Sequence, residues 1–200
     1  MQTFEQIQFQ IGAWNVKTFG RHETPHLHAY EPGTIKHNYA RAEGERPGAR
    51  RVGLVVALGS LAPLMGIMEE VGELMAADED AERTHDALGD IAVYLCDYCC
   101  RENIPYPARA AVTKKAQYAS PGTGLVVYLG HLYHCHLKRY QRIRGYHDPG
   151  VFSIARAEAL RGFVWHLEAF TKKYTSTNLL TILNQTWNQV VKKRKYNEPS

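Results

Sequence analysis

Three carboxylates within five residues, in Glu69-Glu70-Val71-Gly72-Glu73, are the first feature of this chain suited to metal and phosphate chemistry. On a helix, residues three and four apart share a face, so Glu73 lies beside both Glu69 and Glu70. Asp86-Ala87-Leu88-Gly89-Asp90 repeats the device at four-residue spacing, and Asp97 follows on nearly the same face. Like charges so placed repel by roughly a few tenths of a kcal/mol per pair, and a hard divalent cation is the simplest way to neutralise them. Oxygen-only donors at this density favour Mg²⁺ or Mn²⁺ over Zn²⁺. Gly72 and Gly89 leave the carboxylates without bulky neighbours, for close helix approach or ligand access, although each weakens its helix by roughly 1 kcal/mol relative to Ala. A single acidic pair on a helix is ordinarily a solvated face. Two pairs that can face each other, each with a Gly in an otherwise apolar helix, are harder to explain that way.

The elements that position these groups follow from hydrophobic spacing. Residues 3–19 place Phe4, Ile7, Ile11 and Trp14 with helical periodicity. Residues 54–77 read as a helix with Pro63 near its first turn and an apolar stripe of Leu64, Ile67, Met68, Val71, Leu74 and Met75. Residues 81–102 form a second helix with the stripe Leu88, Ile91, Leu95 and Cys99. The acidic stretch 78–80 is short enough to make the two an antiparallel hairpin, which brings the carboxylate faces together. Further helices are expected over 125–144, from Ser153 to Tyr174, and up to about Lys195 after a cap at Ser176 or Thr177. Residues 20–51, with Pro25, Pro32, Pro47 and four His, read as a long irregular insertion or lid, and 104–124 as mostly loop. Residues 52–58 fit a strand or the start of a helix. The class is therefore all-α, a helical bundle in one domain over 1–200.

Composition narrows the function classes. The chain has 200 residues, 44% hydrophobic, with 24 Lys+Arg against 20 Asp+Glu and a net charge of +4, too mild to demand a nucleic acid or a membrane. Eleven of the twenty acids lie between Glu69 and Glu102. No apolar run approaches the roughly 20 residues of a membrane span, and the polar start lacks a signal peptide's regions, so a cytoplasmic protein with reduced thiols is expected. Four Cys, three of them in 96–100, do not make a disulfide framework. The Cys96-x-x-Cys99 pair reads as buried helical cysteine, with zinc shared by His134 or His136 as the weaker reading. Glu82-x-x-His85 is half of a di-iron pattern whose second half is missing, and no Walker or dinucleotide motif appears.

The pattern Glu-Glu-x-Gly-Glu-Leu followed by x-Gly-Asp-Ile-x-Val-Tyr-Leu resembles the MazG-like all-α nucleoside triphosphate pyrophosphohydrolases. Trp14-Asn15-Val16-Lys17-Thr18-Phe19 resembles their Trp-x-x-x-Asn-Phe segment. The stretch from His136 to Arg144 is similar to a basic helix of phage-type members, and the stretch from Thr186 to Arg194 to their Trp-x-x-Val-x-x-Arg ending. The resemblance does not cover 21–52 or roughly 145–175.

It implies Mg²⁺-dependent hydrolysis, with Mn²⁺ as the alternative ion, of a nucleoside triphosphate to the monophosphate and pyrophosphate by a homo-oligomer, a dimer or tetramer. Carried over residue by residue, it nominates Glu70, Glu73 and Asp90 as metal ligands and Glu69 or Glu70 as the base that activates water. Ala87 stands where the second motif has Glu, and Asp86 is the substitute ligand. Lys138 and Arg142, at four-residue spacing, are the implied phosphate-binding pair, with Arg144, Lys192 or Arg194 as lesser candidates; Trp187 is a candidate for stacking on the base, against a core role. A membrane partner is not expected, and nucleic acid is disfavoured. The alternative is a catalytically weak or inactive bundle, a regulatory protein that binds nucleotide or nucleic acid. A third reading is a metal-stabilised interaction protein without turnover.

Overall fold

Five of the six helices begin where a side chain accepts from orphan first-turn amides; the helix after Ser60 has no such side-chain cap. Thr3 and Gln6 form a reciprocal capping box: the Gln6 amide donates to Thr3 Oγ1 at 3.3 Å and the Thr3 amide to Gln6 Oε1 at 2.9 Å. They open α1, Phe4–Phe19. Ser60 precedes α2, Leu61–Ala76, with Pro63 buried in its first turn. Asp80 accepts from the amides of Glu82 and Arg83 and starts α3, Ala81–Arg101. Ser120 accepts from the Thr123 amide and Pro121 takes the first position of α4, Pro121–Gln141. Asp148 and Pro149 do the same for α5, Pro149–Tyr174. Asn178, whose Oδ1 receives the Thr181 amide at 2.9 Å, starts α6, Leu179–Lys195. This computed structural model describes residues 1–19, 59–78, 80–107, 118 and 120–195. All regular structure among them is α-helical, so the all-α class holds.

Several sequence expectations are corrected here. The helix expected over 125–144 starts four residues earlier. Proline at a helix's first position loses only an amide that has no partner there, so the Ser120-Pro121 pair is a start signal rather than loop. It ends at Gln141, where Arg142 turns left-handed at φ 55°. The fifth helix likewise starts at Pro149, and the last is capped by Asn178 rather than Ser176 or Thr177. Met68 and Met75, expected in the α2 stripe, are 59% and 43% exposed; they lie at its edge, while Leu64, Ile67, Val71 and Leu74 are buried. The expected insertion over 20–51, the strand or helix start over 52–58, and residues 108–117 of the expected loop lie outside the described residues.

Helix α3 is the central element and packs against α1, α2, α5 and α6. Its stripe of Leu88, Ile91, Leu95 and Cys99 is fully buried, joined by Leu64 and Ile67 from α2, Leu125 and Leu132 from α4, Phe163 from α5 and Ile182 and Leu183 from α6. Helix α1 runs antiparallel to α3. Gln8 clamps the segment after α3 by donating to the Ile104 carbonyl and accepting from the Tyr106 amide, both at 2.8 Å, and Phe4 stacks on Tyr106. Asn184 of α6 exchanges two 3.0 Å hydrogen bonds with the Gln2 backbone. Gly124 meets His166 and Gly162 meets Tyr128, which sets α4 and α5 close and antiparallel. Among the described residues no helix is long and apolar enough to cross a membrane.

Candidate functional site

The hairpin expected from the sequence is present: α2 and α3 pack antiparallel through a connection of four residues, 77–80, with Asp78 left-handed at φ 53°. Its open end is fixed by Asp97 and Arg101. Arg101 Nε donates to Asp97 Oδ1 at 2.9 Å and Nη1 donates to the Gly59 carbonyl at 3.1 Å, just before α2. Asp97, on the carboxylate face by spacing, is thus buried in a structural ion pair.

Further along, Glu70 from α2 and Asp90 from α3 sit half-buried across the helix seam, flanked by exposed Glu69, Glu73 and Asp86. The two glycines divide the roles expected of them. A Cβ on Gly89 would overlap the Thr186 side chain, so Gly89 lets α6 approach α3 closely, while a Cβ on Gly72 would meet nothing within 4 Å, which leaves the α2 side of the carboxylates open.

Crowding is visible in the acid strengths. Burial first, and then the charges of Asp90, Glu73, Glu69 and Asp86, push the Glu70 carboxyl from its ordinary 4.5 up to about 7. Asp90 is also raised, by burial and by Asp86 and Glu73, with Lys193 opposing. The four nominated ligands from two helices therefore share one field. Among the described residues, however, no three or more His, Cys, Asp or Glu side chains are gathered closely enough to hold a metal ion. The donor set fits a hard divalent cation in chemistry and in charge, since all donors are carboxylate oxygens whose mutual repulsion a cation relieves. The side chains stand at electrostatic rather than coordinating separation.

No protein-family model, curated protein or solved structure matches this chain. Its function must be read from its own residues.

Lys138 and Arg142, the phosphate-binding pair nominated from sequence, are not brought to this site. Helix α4 runs parallel to α3: Gly122 packs on Met75 at the hairpin's closed end, and His136 meets the Tyr98 hydroxyl at 2.9 Å near the other end of α3. Lys138 and Arg142 lie beyond His136, and eight helical residues already separate Asp90 from Tyr98, about 12 Å of rise. Nor do they share a helix face, because Arg142 leaves the helix. Trp187 is buried at 3% exposure; its indole donates to Gln10 Oε1 at 2.8 Å and its ring meets Trp14 edge-on, so it is core and not a stacking platform.

Among the described residues the cation whose charge is felt at Asp90 is Lys193, where the sequence pointed to Lys192 and Arg194. Helix α6 runs antiparallel past Gly89, which carries its last turns alongside the first turns of α3, and helical side chains lean back toward their own N-terminus. The available signal was that Lys193 follows Thr186 by seven residues, two helical turns, and so shares its face.

All four cysteines are free, and burial pushes the Cys96 and Cys99 thiols up. His136 is pushed down to about 4 by burial and held by Tyr98. Both fit the buried-cysteine reading rather than a zinc site.

Proposed function

We propose that this protein is a Mg²⁺-dependent nucleoside triphosphate pyrophosphohydrolase of MazG-like type, working as a homo-oligomer in the cytoplasm with its active site on the α2–α3 hairpin. The observation that carries the reading is the convergence of Glu70, Glu73, Asp86 and Asp90 from two helices on one half-buried seam, where burial first and the neighbouring carboxylates second raise Glu70 to about 7. Those four residues would hold the cation. Bound there, a divalent ion supplies charge neutralisation for the triphosphate and acidifies a water.

The remaining chemistry belongs to the chain. Glu69 is exposed beside Glu70 and is not one of the four ligands, which leaves it to accept the proton of the attacking water; Glu70 is the second candidate only where it is not engaged with the ion. Lys193, facing Asp90, is the cation suited to a phosphate oxygen. The open flank at Gly72 gives a ligand room to approach. In this reading the departure at the second motif is met by Asp86: Ala87 is buried in the core at 2% exposure, whereas Asp86 is exposed beside Asp90.

The second reading is a bundle that binds nucleotide or cation without turnover, favoured by the lack of a gathered ligand group among the described residues. A pyrophosphate-release screen over common and modified nucleoside triphosphates with Mg²⁺ or Mn²⁺ separates the two. Release that is lost in Glu73→Gln and Asp90→Asn supports the hydrolase. No release from any substrate, or release unchanged in both variants, overturns it.

A further inference from the structure

The sequence from Asn103 to His147 contains no Asp or Glu, and its described end gathers Lys138, Arg139, Arg142 and Arg144 within seven residues. The structure sets these four cations on one cap of the bundle, at the end remote from the carboxylates. Lys138 and Arg139 occupy the last turn of α4. The Ile143 amide donates to the Lys138 carbonyl at 3.2 Å and the Arg142 amide to the Arg139 carbonyl at 3.1 Å, so the turn covers the negative end of the helix dipole.

Two features set this turn apart from an ordinary helix end. Arg142 and Arg144 are both exposed and both left-handed, at φ 55° and 57°, a conformation that favours glycine and that non-glycine residues adopt at a cost. A helix stop alone is served best by Gly at this position. Second, none of the four cations has an ion-pair partner among the described residues. Two of the acids at this end have other work, since Glu102 pairs with Arg156 and Asp148 caps α5; Glu158 is exposed on α5 and its charge is felt at Tyr146. Arg139 is stacked over Phe152 at 4.2 Å, and Tyr140 stands 58% exposed between the cations.

We propose that the turn from Lys138 to His147 is a binding surface for single-stranded nucleic acid, independent of the hairpin site. Guanidinium and ammonium groups without an ion-pair partner track phosphates, even where, like Lys138 to Gln141, they donate to a neutral neighbour, and an interleaved exposed aromatic gives a base a face to stack on. A short convex turn has no helix or ribbon to enter a duplex groove. The exposed aliphatics at this end are Leu137 and Ile143 on the turn and Val151 and Ile154 on the first turns of α5, so an anionic lipid surface is the competing partner and the vesicle arm of the test excludes it.

The test is fluorescence anisotropy of the full chain with a labelled mixed-sequence 20-nucleotide single strand. Engagement of all four cations predicts a log–log salt slope of about −3, or about 50-fold weaker binding between 50 and 200 mM salt. Arg142→Gly with Arg144→Gly removes two of the charges at positions glycine prefers, so the fold is kept and the melting temperature holds or rises. That variant is expected to bind at least tenfold more weakly, with the slope about halved. Lys138→Gln, inside the helix, checks the result in a second context, and Tyr140→Ala is expected to weaken binding several-fold. No salt-sensitive binding at 50 mM, or binding unchanged in the double variant, overturns the proposal. So does a duplex bound as tightly as the single strand with Tyr140→Ala silent, or retention only on anionic phosphatidylserine vesicles.

Discussion

Glu70→Gln is expected to make the metal-free protein more stable at pH 8 and to leave it unchanged at pH 4.5. The Glu70 carboxyl stands at about 7 in the folded protein against an ordinary 4.5, first through burial and then through Asp90, Glu73, Glu69 and Asp86. A folded-state value above the unfolded one means that the native protein holds its proton longer. The stabilisation is complete below 4.5 and is lost as pH rises through about 7. The displacement corresponds to about 3 kcal/mol, but Glu70 is only half-buried and its charge is partly screened by water, which leaves roughly 1–2 kcal/mol. Glutamine keeps the neutral shape at every pH and escapes that loss. Thermal denaturation of both proteins in EDTA should therefore show equal melting temperatures at pH 4.5 and a gain of about 3–6 °C for the variant at pH 8. With Mg²⁺ at pH 8 the order reverses, because the carboxylate becomes a ligand. A variant that is less stable at pH 8 in EDTA, or a difference that does not change with pH, refutes the reasoning.

The remaining predictions concern the frame around the site. Gly89→Ala drives a methyl into Thr186 and should cost about 2 kcal/mol or more, whereas Gly72→Ala, into open space, should stabilise α2 by roughly 1 kcal/mol; urea denaturation measures both. Arg156→Ala strands Glu102 without its buried partner and should cost about 3–5 kcal/mol by the same measurement. Trp187→Phe loses the hydrogen bond to Gln10 and should cost about 1–2 kcal/mol of stability while leaving the KM for triphosphate unchanged. A rise in KM with stability intact would return Trp187 to a substrate role.

The hairpin could be read from the sequence because its signals are local. Carboxylates three and four apart, a short acidic connection and two apolar stripes specify two facing helices without knowledge of the rest. The starts of α4 and α5 are hidden in the sequence because proline and glycine ordinarily break helices, whereas Ser120 and Asp148 turn the following proline into a first helical residue. The placement of the cations was a tertiary matter. Spacing alone cannot say that α4 runs parallel to α3, which carries Lys138 and Arg142 away from the carboxylates, nor that antiparallel α6 brings Lys193 to Asp90. Trp187 shows the same limit: a stacking platform and a core anchor look alike until Gln10 and Trp14 are seen around it.

The central claim is that the α2–α3 carboxylates direct cleavage between the α- and β-phosphates. The most direct measurement follows a nucleoside triphosphate labelled at the γ-phosphate, incubated with the protein and Mg²⁺. The account predicts label in pyrophosphate alone, at a rate abolished by Asp90→Asn and by EDTA. Label in orthophosphate, or pyrophosphate formed equally by Asp90→Asn, contradicts it.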